Sequence, residues 1–260
     1  MRIAGKVVLI TGGSEGIGAA TAEVFRRRGA WLALAARSKE KLEAAGGPEA
    51  LCIASDLKDQ AARDRAVTAT IERFGRLDIL INNAGVGLYA PSWRAPIEQV
   101  REMFELNLFA ALAMIQLAVP HLKRAGGGMI VNVGSIAGLV PLPWFTLYSA
   151  SKFALSALGD GLRIELKSDG IHVLTVCPGY VRTGFQQHVL AGRPPDALFR
   201  ARRFAITPEQ CAEAIARGVE RDARTVVTPG VGRLLTGLRF LFPRQVDRQL
   251  ERIYRTLDFS

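Results

Sequence analysis

The sequence predicts an α/β chain: a doubly wound domain of three layers, with a mostly parallel seven-stranded sheet between helices and a helical extension at the C-terminus. Three observations carry that prediction. Apolar, β-branched runs alternate with helical stretches along most of the 260 residues, the pattern from which βαβ units build parallel sheets. Those runs, residues 7–10 for example, are apolar at every position rather than every second one, as strands covered on both faces require. The length suits a single core, and no linker, repeat or low-complexity tract divides it.

The first strand is residues 6–11. It runs into Gly12-Gly13-Ser14-Glu15-Gly16-Ile17-Gly18 and then a helix that Gly29 closes, and residues 31–36 form the second strand. Strand, glycine turn, helix and strand complete a βαβ unit of about 30 residues. Such a turn presents backbone N–H groups and a helix N-terminus to an anion, and its glycines leave room for a pyrophosphate. Periodicity then gives a strand over 50–54, a helix over 58–74, a strand over 78–81 and a long helix over 97–124. A strand at 129–133, a helix over 148–169, a strand at 172–177, a helix over 208–222 and a strand at 224–228 follow. Residues 1–230 read as the catalytic unit and 231–260 as an amphipathic helical extension of the same domain.

Chemistry concentrates on that penultimate long helix. Tyr148 and Lys152 stand four residues apart, on one helix face, and Ser135 precedes the tyrosine by thirteen residues. A phenol titrates near ~10 and needs a nearby cation to act as an acid or base at neutral pH; Lys152 is placed to supply one. The Ser135 hydroxyl can hold a substrate carbonyl oxygen beside the tyrosine proton.

With these motifs in order, the chain resembles a compact, single-domain short-chain dehydrogenase/reductase, which implies a three-layer Rossmann fold. Thr11-Gly12-x-x-x-Gly16-x-Gly18 resembles that family's cofactor loop, and the resemblance sets Ser14, Glu15 and Ile17 of the same loop against the cofactor. Asp56, with Leu57, matches the aspartate near the adenine. Asn82-Asn83-Ala84-Gly85 resembles the segment that steadies the sheet and borders the cofactor. Asn107 falls where the family keeps an asparagine that holds a water in a proton relay. Ser135, Tyr148 and Lys152 fill the other catalytic positions, and Tyr148 and Lys152 also reach the cofactor. Pro178-Gly179-Tyr180-Val181-Arg182-Thr183 resembles the loop that clasps the nicotinamide carboxamide, with Val181 and Thr183 in contact.

The second strand ends in Ala36-Arg37-Ser38-Lys39. A carboxylate there would accept hydrogen bonds from an NAD ribose, whereas a 2′-phosphate needs cations and no carboxylate. Arg37, with Ser38 beside it, can grip phosphate oxygens in fork geometry. This favours NADP(H) over NAD(H). Glu15 disagrees: many NADP-dependent relatives carry Arg or Lys at that position, and an acid there weakens phosphate binding unless it turns to solvent or pairs with Arg37.

Other features limit the functional classes. Cys52, Cys177 and Cys211 have no metal-ligand spacing and read as small core residues; His121, His172 and His188 are scattered and read as surface or strand-end residues, so no metal is expected. No signal peptide and no uninterrupted run of about 20 apolar residues is seen, which points to a cytoplasmic protein. The net charge of +10 is concentrated late: residues 182–255 hold fourteen arginines, no lysine and seven acids. Without a basic recognition helix or an aromatic platform, nucleic acid is not an expected partner.

In the extension, Val231, Leu234, Leu235, Leu238, Leu241 and Phe242 form one stripe, and Val246, Leu250, Ile253 and Leu257 another beside Arg244, Arg248, Arg252 and Arg255. They suit packing on the substrate cleft, joining subunits, or peripheral contact with an anionic membrane; protein packing is the commoner fate. A homo-oligomer, dimer or tetramer, is expected from the family. Between Ser135 and Tyr148 the chain is almost wholly apolar, and Leu142 and Trp144 are expected to line the substrate site, which favours a small apolar ketone or alcohol. Arg193, Arg200, Arg202 and Arg203, in a segment that is a lid in relatives, suit an acidic substrate group such as a coenzyme A phosphate. The expected activity is NADP(H)-dependent reduction of a hydrophobic ketone, or oxidation of its alcohol; the alternatives are reduction of thioester-linked ketones and a non-catalytic NADP-binding sensor.

Overall fold

The computed structural model describes residues 1–192 and 204–254. Arg193, Arg200, Arg202, Arg203, Arg255 and Leu257 lie outside the described residues, as does the side chain of Ile253. The seven strands are β1 Val7–Thr11, β2 Trp31–Ala36, β3 Leu51–Ala54, β4 Ile79–Asn82, β5 Gly128–Val133, β6 Ile171–Pro178 and β7 Thr225–Thr228. They form one sheet in the order β3-β2-β1-β4-β5-β6-β7, every pair parallel. The direction of winding reverses between β1 and β4, and ligands of open parallel sheets bind in the crevice beyond the carboxyl ends at such a reversal.

Successive residues of each strand enter opposite cores, which explains why the strands are apolar throughout. Val8 and Ile10 of β1, Leu32 and Leu34 of β2, and Ile79 and Ile81 of β4 face helices α1 (Gly16–Arg27), α2 (Lys39–Gly46) and α7 (Pro208–Glu220). Leu9, Ala33 and Leu80 face the opposite way, against α3 (Gln60–Phe74), α5 (Ala110–Arg124) and α6 (Thr146–Glu165). Leu9, Leu34 and Leu80 are fully buried, each contributing about 1.5–3 kcal/mol of transfer free energy.

The long apolar helix is interrupted. α4 (Ile97–Phe104) passes through a π-helical turn, Glu105–Phe109, into α5. By length and composition alone, Ile97–Arg124 is apolar enough to cross a membrane. Its apolarity has a use in the fold, because Ala110, Met114, Ile115, Ala118 and Leu122 fill the second core.

Two helices follow β7: α8 (Val231–Leu241) and α9 (Pro243–Tyr254). α8 docks through the face opposite its apolar stripe. Gly232 packs on Ile136 and Val227, and Arg239 donates to the Leu139 carbonyl at 2.6 Å while lying over the Phe153 ring. The apolar stripe points outward, with Leu234 and Leu241 64 % and 68 % exposed. The expected contact of that stripe with the chain's own cleft is therefore not made, because a small residue and an arginine at the bonding surface orient the helix. Val246 of α9 is buried, as its pattern required.

Candidate active site

The site is built at the carboxyl ends of β1, β4, β5 and β6. At β1, the glycine turn is fastened to β4 by backbone hydrogen bonds of two side chains. Thr11 Oγ1 accepts from the Asn83 and Ala84 N–H groups at 2.9 and 3.2 Å, and Asn83 Nδ2 donates to the Thr11 and Gly12 carbonyls at 3.0 Å. Gly18 has to be glycine here: a Cβ would stand 2.0 Å from the Gly12 carbonyl oxygen. Ser14 lies half-buried in the turn, and Ile17 packs on the first core. Helix α1 opens at Gly16 with no capping side chain and no acid in its first turn, so its leading N–H groups are left to an external anion.

Beyond β2, Ala36 offers no carboxylate, and Arg37 is exposed and forms no ion pair or hydrogen bond with a described residue. Ser38 caps α2, accepting the Lys41 N–H at 3.4 Å. Asp56 accepts the Lys58 N–H at 3.0 Å, a strand-end turn, and Leu57 is buried beneath it. Glu15 neither turns free to solvent nor pairs with Arg37. Its carboxylate bonds Lys41 Nζ at 3.2 Å and His188 Nε2 at 2.6 Å, because the first turn of α2 and a 3-10 turn, Gly184–His188, approach the glycine turn from two sides. His188, read as an isolated histidine, thus belongs to the site's rim.

These features fit a dinucleotide: an uncapped helix N-terminus for the pyrophosphate, a glycine where the backbone closes on itself, and an exposed guanidinium, unpaired among the described residues, after β2. On the far side, Pro178 ends β6 and the Gly179 N–H donates to the Thr228 carbonyl at 2.7 Å. Val181 bridges to Ile206, and Thr183, whose Oγ1 accepts the Phe185 N–H at 3.3 Å, brings its methyl against Gly16. The loop therefore hooks back onto the glycine turn.

Tyr148 and Lys152 lie one turn apart on α6, both buried. Lys152 Nζ is 5.7 Å from the Tyr148 ring centroid and donates to the Val133 carbonyl at 3.1 Å. Burial pulls the ammonium down to about 8. Burial also pushes the Tyr148 phenol well above its ordinary value, and a hydrogen bond with Ser135 pulls it down by less. The direction is opposite to the lowering expected from the Tyr148–Lys152 pairing, with the loss of water around the ring as the largest cause. Ser135 starts a 3-10 turn, Ile136–Gly138, after β5, its Oγ accepting the Ala137 N–H at 3.1 Å.

Asn107 lies on the π-helical turn, a distortion that recurs at functional sites. Its Oδ1 accepts the Val86 N–H, and its Nδ2 donates to the Val86 carbonyl, each at 2.9 Å, and to Ser151 Oγ at 3.1 Å. Ser151 Oγ in turn donates to the Tyr148 carbonyl at 2.7 Å. The amide donors are thus spent on protein, leaving one Oδ1 lone pair. Gly85 makes room for this convergence, since a Cβ there would stand 2.9 Å from Asn107 Oδ1 and 3.3 Å from Lys152 Nζ.

An aromatic column that the sequence did not disclose surrounds the phenol. Tyr89 stacks on Phe145 at 4.2 Å, Phe145 on Tyr148 at 4.1 Å, and Phe185 meets Tyr148 edge-on at 5.8 Å. Leu142 packs on this cluster. Trp144, tilted against Trp93 at 5.7 Å, adopts φ 62°, and its carbonyl accepts the Ala90 N–H. A bulky side chain in the left-handed region costs about 1–3 kcal/mol, which this loop retains beside the catalytic helix.

A family model described as short chain dehydrogenase matches residues 6–194. The chain belongs to the short-chain dehydrogenase/reductase family. As a member, it is an NAD(P)-dependent oxidoreductase. Among its relatives, an uncharacterized oxidoreductase of Thermotoga maritima is 38% identical over 208 residues, covering 77% of this chain and 82% of that one. The ketoacyl reductase HetN of Nostoc sp. is 29% identical over 272 residues, covering 99% and 92%. A short-chain dehydrogenase/reductase of Burkholderia phymatum in complex with NAD superposes with a TM-score of 0.86 at 25% identity, covering 94% and 96%. A short-chain dehydrogenase of Burkholderia cenocepacia in complex with NADP gives 0.82 at 28% identity, covering 96% and 99%.

Proposed function

We propose that this short-chain dehydrogenase/reductase reduces a small apolar ketone, or oxidises the matching secondary alcohol, using NADP(H) in preference to NAD(H). The observation that carries the reading is the setting of Tyr148, a buried phenol next to Ser135 within an aromatic and aliphatic cluster. A substrate buried there has few fixed polar partners, so its recognition rests on apolar surface.

When bound, the nicotinamide supplies or accepts the hydride. Ser135 Oγ holds the carbonyl oxygen, and Tyr148 Oη delivers its proton as negative charge develops there. Lys152, anchored by the Val133 carbonyl, sets a positive charge beside the ring that opposes the charge left on the phenolate. Asn107 fixes α6 against the 86–87 segment through Val86 and Ser151, and its remaining lone pair can hold a relay water. Gly12 through Gly18 receive the pyrophosphate; Arg37 takes the 2′-phosphate and Asp56 borders the adenine. Pro178, Gly179, Val181 and Thr183 close over the carboxamide.

The decisive experiment follows NADPH absorbance with a panel of apolar ketones, wild type beside Tyr148→Phe, with NADH as a second arm. Loss of turnover by about a hundredfold or more in the variant, with NADPH faster than NADH, supports the proposal. Wild-type turnover confined to NADH, or absent with every ketone and alcohol while NADPH binds, overturns it. A second reading, reduction of thioester-linked ketones, is favoured by the full-length similarity to a ketoacyl reductase; pairing each ketone with its thioester-linked counterpart separates the two.

Residues 1–230 serve as the catalytic unit and 231–260 as its extension. Phe109, 51 % exposed on the π-helical turn, and Ile164, 79 % exposed on α6, favour a homo-oligomer formed through those helices. A cytoplasmic location suits this reading, with the α8 stripe as a second subunit contact or a peripheral membrane contact.

A further inference from the structure

We infer that Lys41 is a specificity-determining residue for the 2′-phosphate of NADP(H), and that Glu15 occupies its charge until that phosphate arrives. The inference rests on the NADP(H) reading and adds two residues to it, one of which the glycine-loop motif would count against it. Arg37, Lys39 and Lys41 crowd three cations into five residues, with Glu40 the acid between them. They are not equivalent. Lys39 is drawn along its own helix to Glu43 at 3.8 Å. Lys41 instead reaches out of α2 and back to the glycine turn, where its Nζ meets Glu15 Oε2 at 3.2 Å.

That contact spans the mouth between the end of β2 and the start of α1, where a dinucleotide's adenosine ribose lies in folds of this kind. The carboxylate there is an anion among cations, and it marks where a second anion would be received. Two further features favour exchange. Both partners are more than two-fifths exposed, so the pair is weak. Glu15 also keeps a separate partner, His188 Nε2 at 2.6 Å on its other oxygen, so it is not stranded when Lys41 turns to a phosphate. The N-terminus of α2, two residues before Lys41, adds its own positive end. Arg37 and Lys41 would then hold a 2′-phosphate from two directions, while Glu15 sets an opposing charge that keeps the preference moderate. With an unphosphorylated ribose, Lys41 stays on Glu15 and contributes nothing.

The test is equilibrium binding, read by fluorescence titration of NADPH and NADH and by calorimetry with 2′,5′-ADP and 5′-ADP, on wild type, Lys41→Met, Glu15→Gln and the double variant. Lys41→Met is expected to weaken NADPH and 2′,5′-ADP about tenfold, as loss of one cation from a phosphate does, with NADH and 5′-ADP within about twofold. Glu15→Gln is expected to tighten NADPH severalfold, and Lys41→Met in that background to cost more than in wild type, because Lys41 no longer has to leave a carboxylate. If Lys41→Met shifts both cofactors equally or neither, the inference falls. Failure of the NADP(H) reading is a separate result: wild type binding NADH more tightly than NADPH. The change in the NADPH-to-NADH ratio on substitution decides the role of Lys41 whichever cofactor wild type favours.

Discussion

Phe185 meets Tyr148 edge-on, ring centroids 5.8 Å apart, and Phe145 stacks on that ring at 4.1 Å. The phenol is only 6 % exposed as a result. Phe185 comes from the same short turn as His188, so the segment that covers Tyr148 is also tied to the glycine loop through Glu15. Phe185→Ala removes an edge contact of about 1 kcal/mol and opens the space above the phenol. The variant is expected to turn over a bulkier ketone at lower KM than wild type, with NADPH affinity within about twofold. Unchanged KM across a size series would show that Phe185 does not border the substrate.

Burying the Lys152 ammonium carries a cost to folding. Its pKa in the folded protein is about 8, below its ordinary 10.5, and burial is the cause. Between those values the unfolded chain binds the extra proton, so stability rises as pH climbs from about 8 to about 10.5, and the full penalty applies below that window. The shift corresponds to about 3 kcal/mol, less about 1 kcal/mol for the hydrogen bond to the Val133 carbonyl. Lys152→Met should therefore be inactive yet unfold at a higher urea concentration at pH 7, and lose that advantage by pH 11. A lower midpoint at pH 7 would contradict the burial argument.

How much of this was legible in the sequence depends on the range of the forces involved. β2 begins and ends where its pattern says, at Trp31 and Ala36, because an apolar run between a glycine and a charge cluster leaves little choice. Helix α2 was passed over; its eight residues hold only Leu42 and Gly46 as buried positions, too few for a period to show. Tyr148 and Lys152 lie one turn apart because their offset is fixed within one helix, whereas Ser135 and Asn107 stand on other elements and were placed only by the family resemblance. Phe185, His188 and Lys41 carry no such signal, being brought to the site by loop closure and helix packing between distant segments. The phenol's shift went the other way because spacing reports which groups are neighbours and not how much water they lose. The same limit applies to α8, whose stripe was visible while its outward direction was set by Gly232 and Arg239.

Asp78 anchors the other end of the sheet. Its carboxyl is 1 % exposed and bonds Arg76 at 2.6 Å, Lys6 at 3.0 Å and the Val7 N–H at 3.0 Å. Burial alone would raise its pKa, but the Arg76, Val7 and Lys6 bonds outweigh burial and hold it below the ordinary value. A depressed folded pKa means the contribution is fully present above the unfolded carboxylate range and is lost as pH falls through the folded value. Asp78→Ala is expected to cost about 3 kcal/mol at pH 7, measured by urea unfolding, and to flatten the acid limb of stability below the ordinary carboxylate range. An equal loss at pH 7 and pH 2 would mean packing, not charge, carries the effect.

Helix α8 presents a docking face and an exposed apolar face, and substitutions on the two should behave oppositely. Gly232→Val places a side chain against Ile136 and Val227, where even a Cβ would be 2.7 and 2.9 Å away, and overpacking of that kind costs about 1–3 kcal/mol. Thermal unfolding should register it, and activity should fall too, because Ile136 follows Ser135 directly. Leu234→Asp with Leu238→Asp alters side chains that are 64 % and 40 % exposed, so stability should move by no more than about 0.5 kcal/mol. Association should respond instead, since contiguous exposed apolar surface marks an interaction site. In sedimentation, the doubly substituted chain is expected as a smaller species than wild type. If the oligomer persists and binding to vesicles of anionic lipid is lost, the stripe is a membrane surface; if neither changes, outward leucines on this helix have no partner and the division of the helix into two faces is wrong.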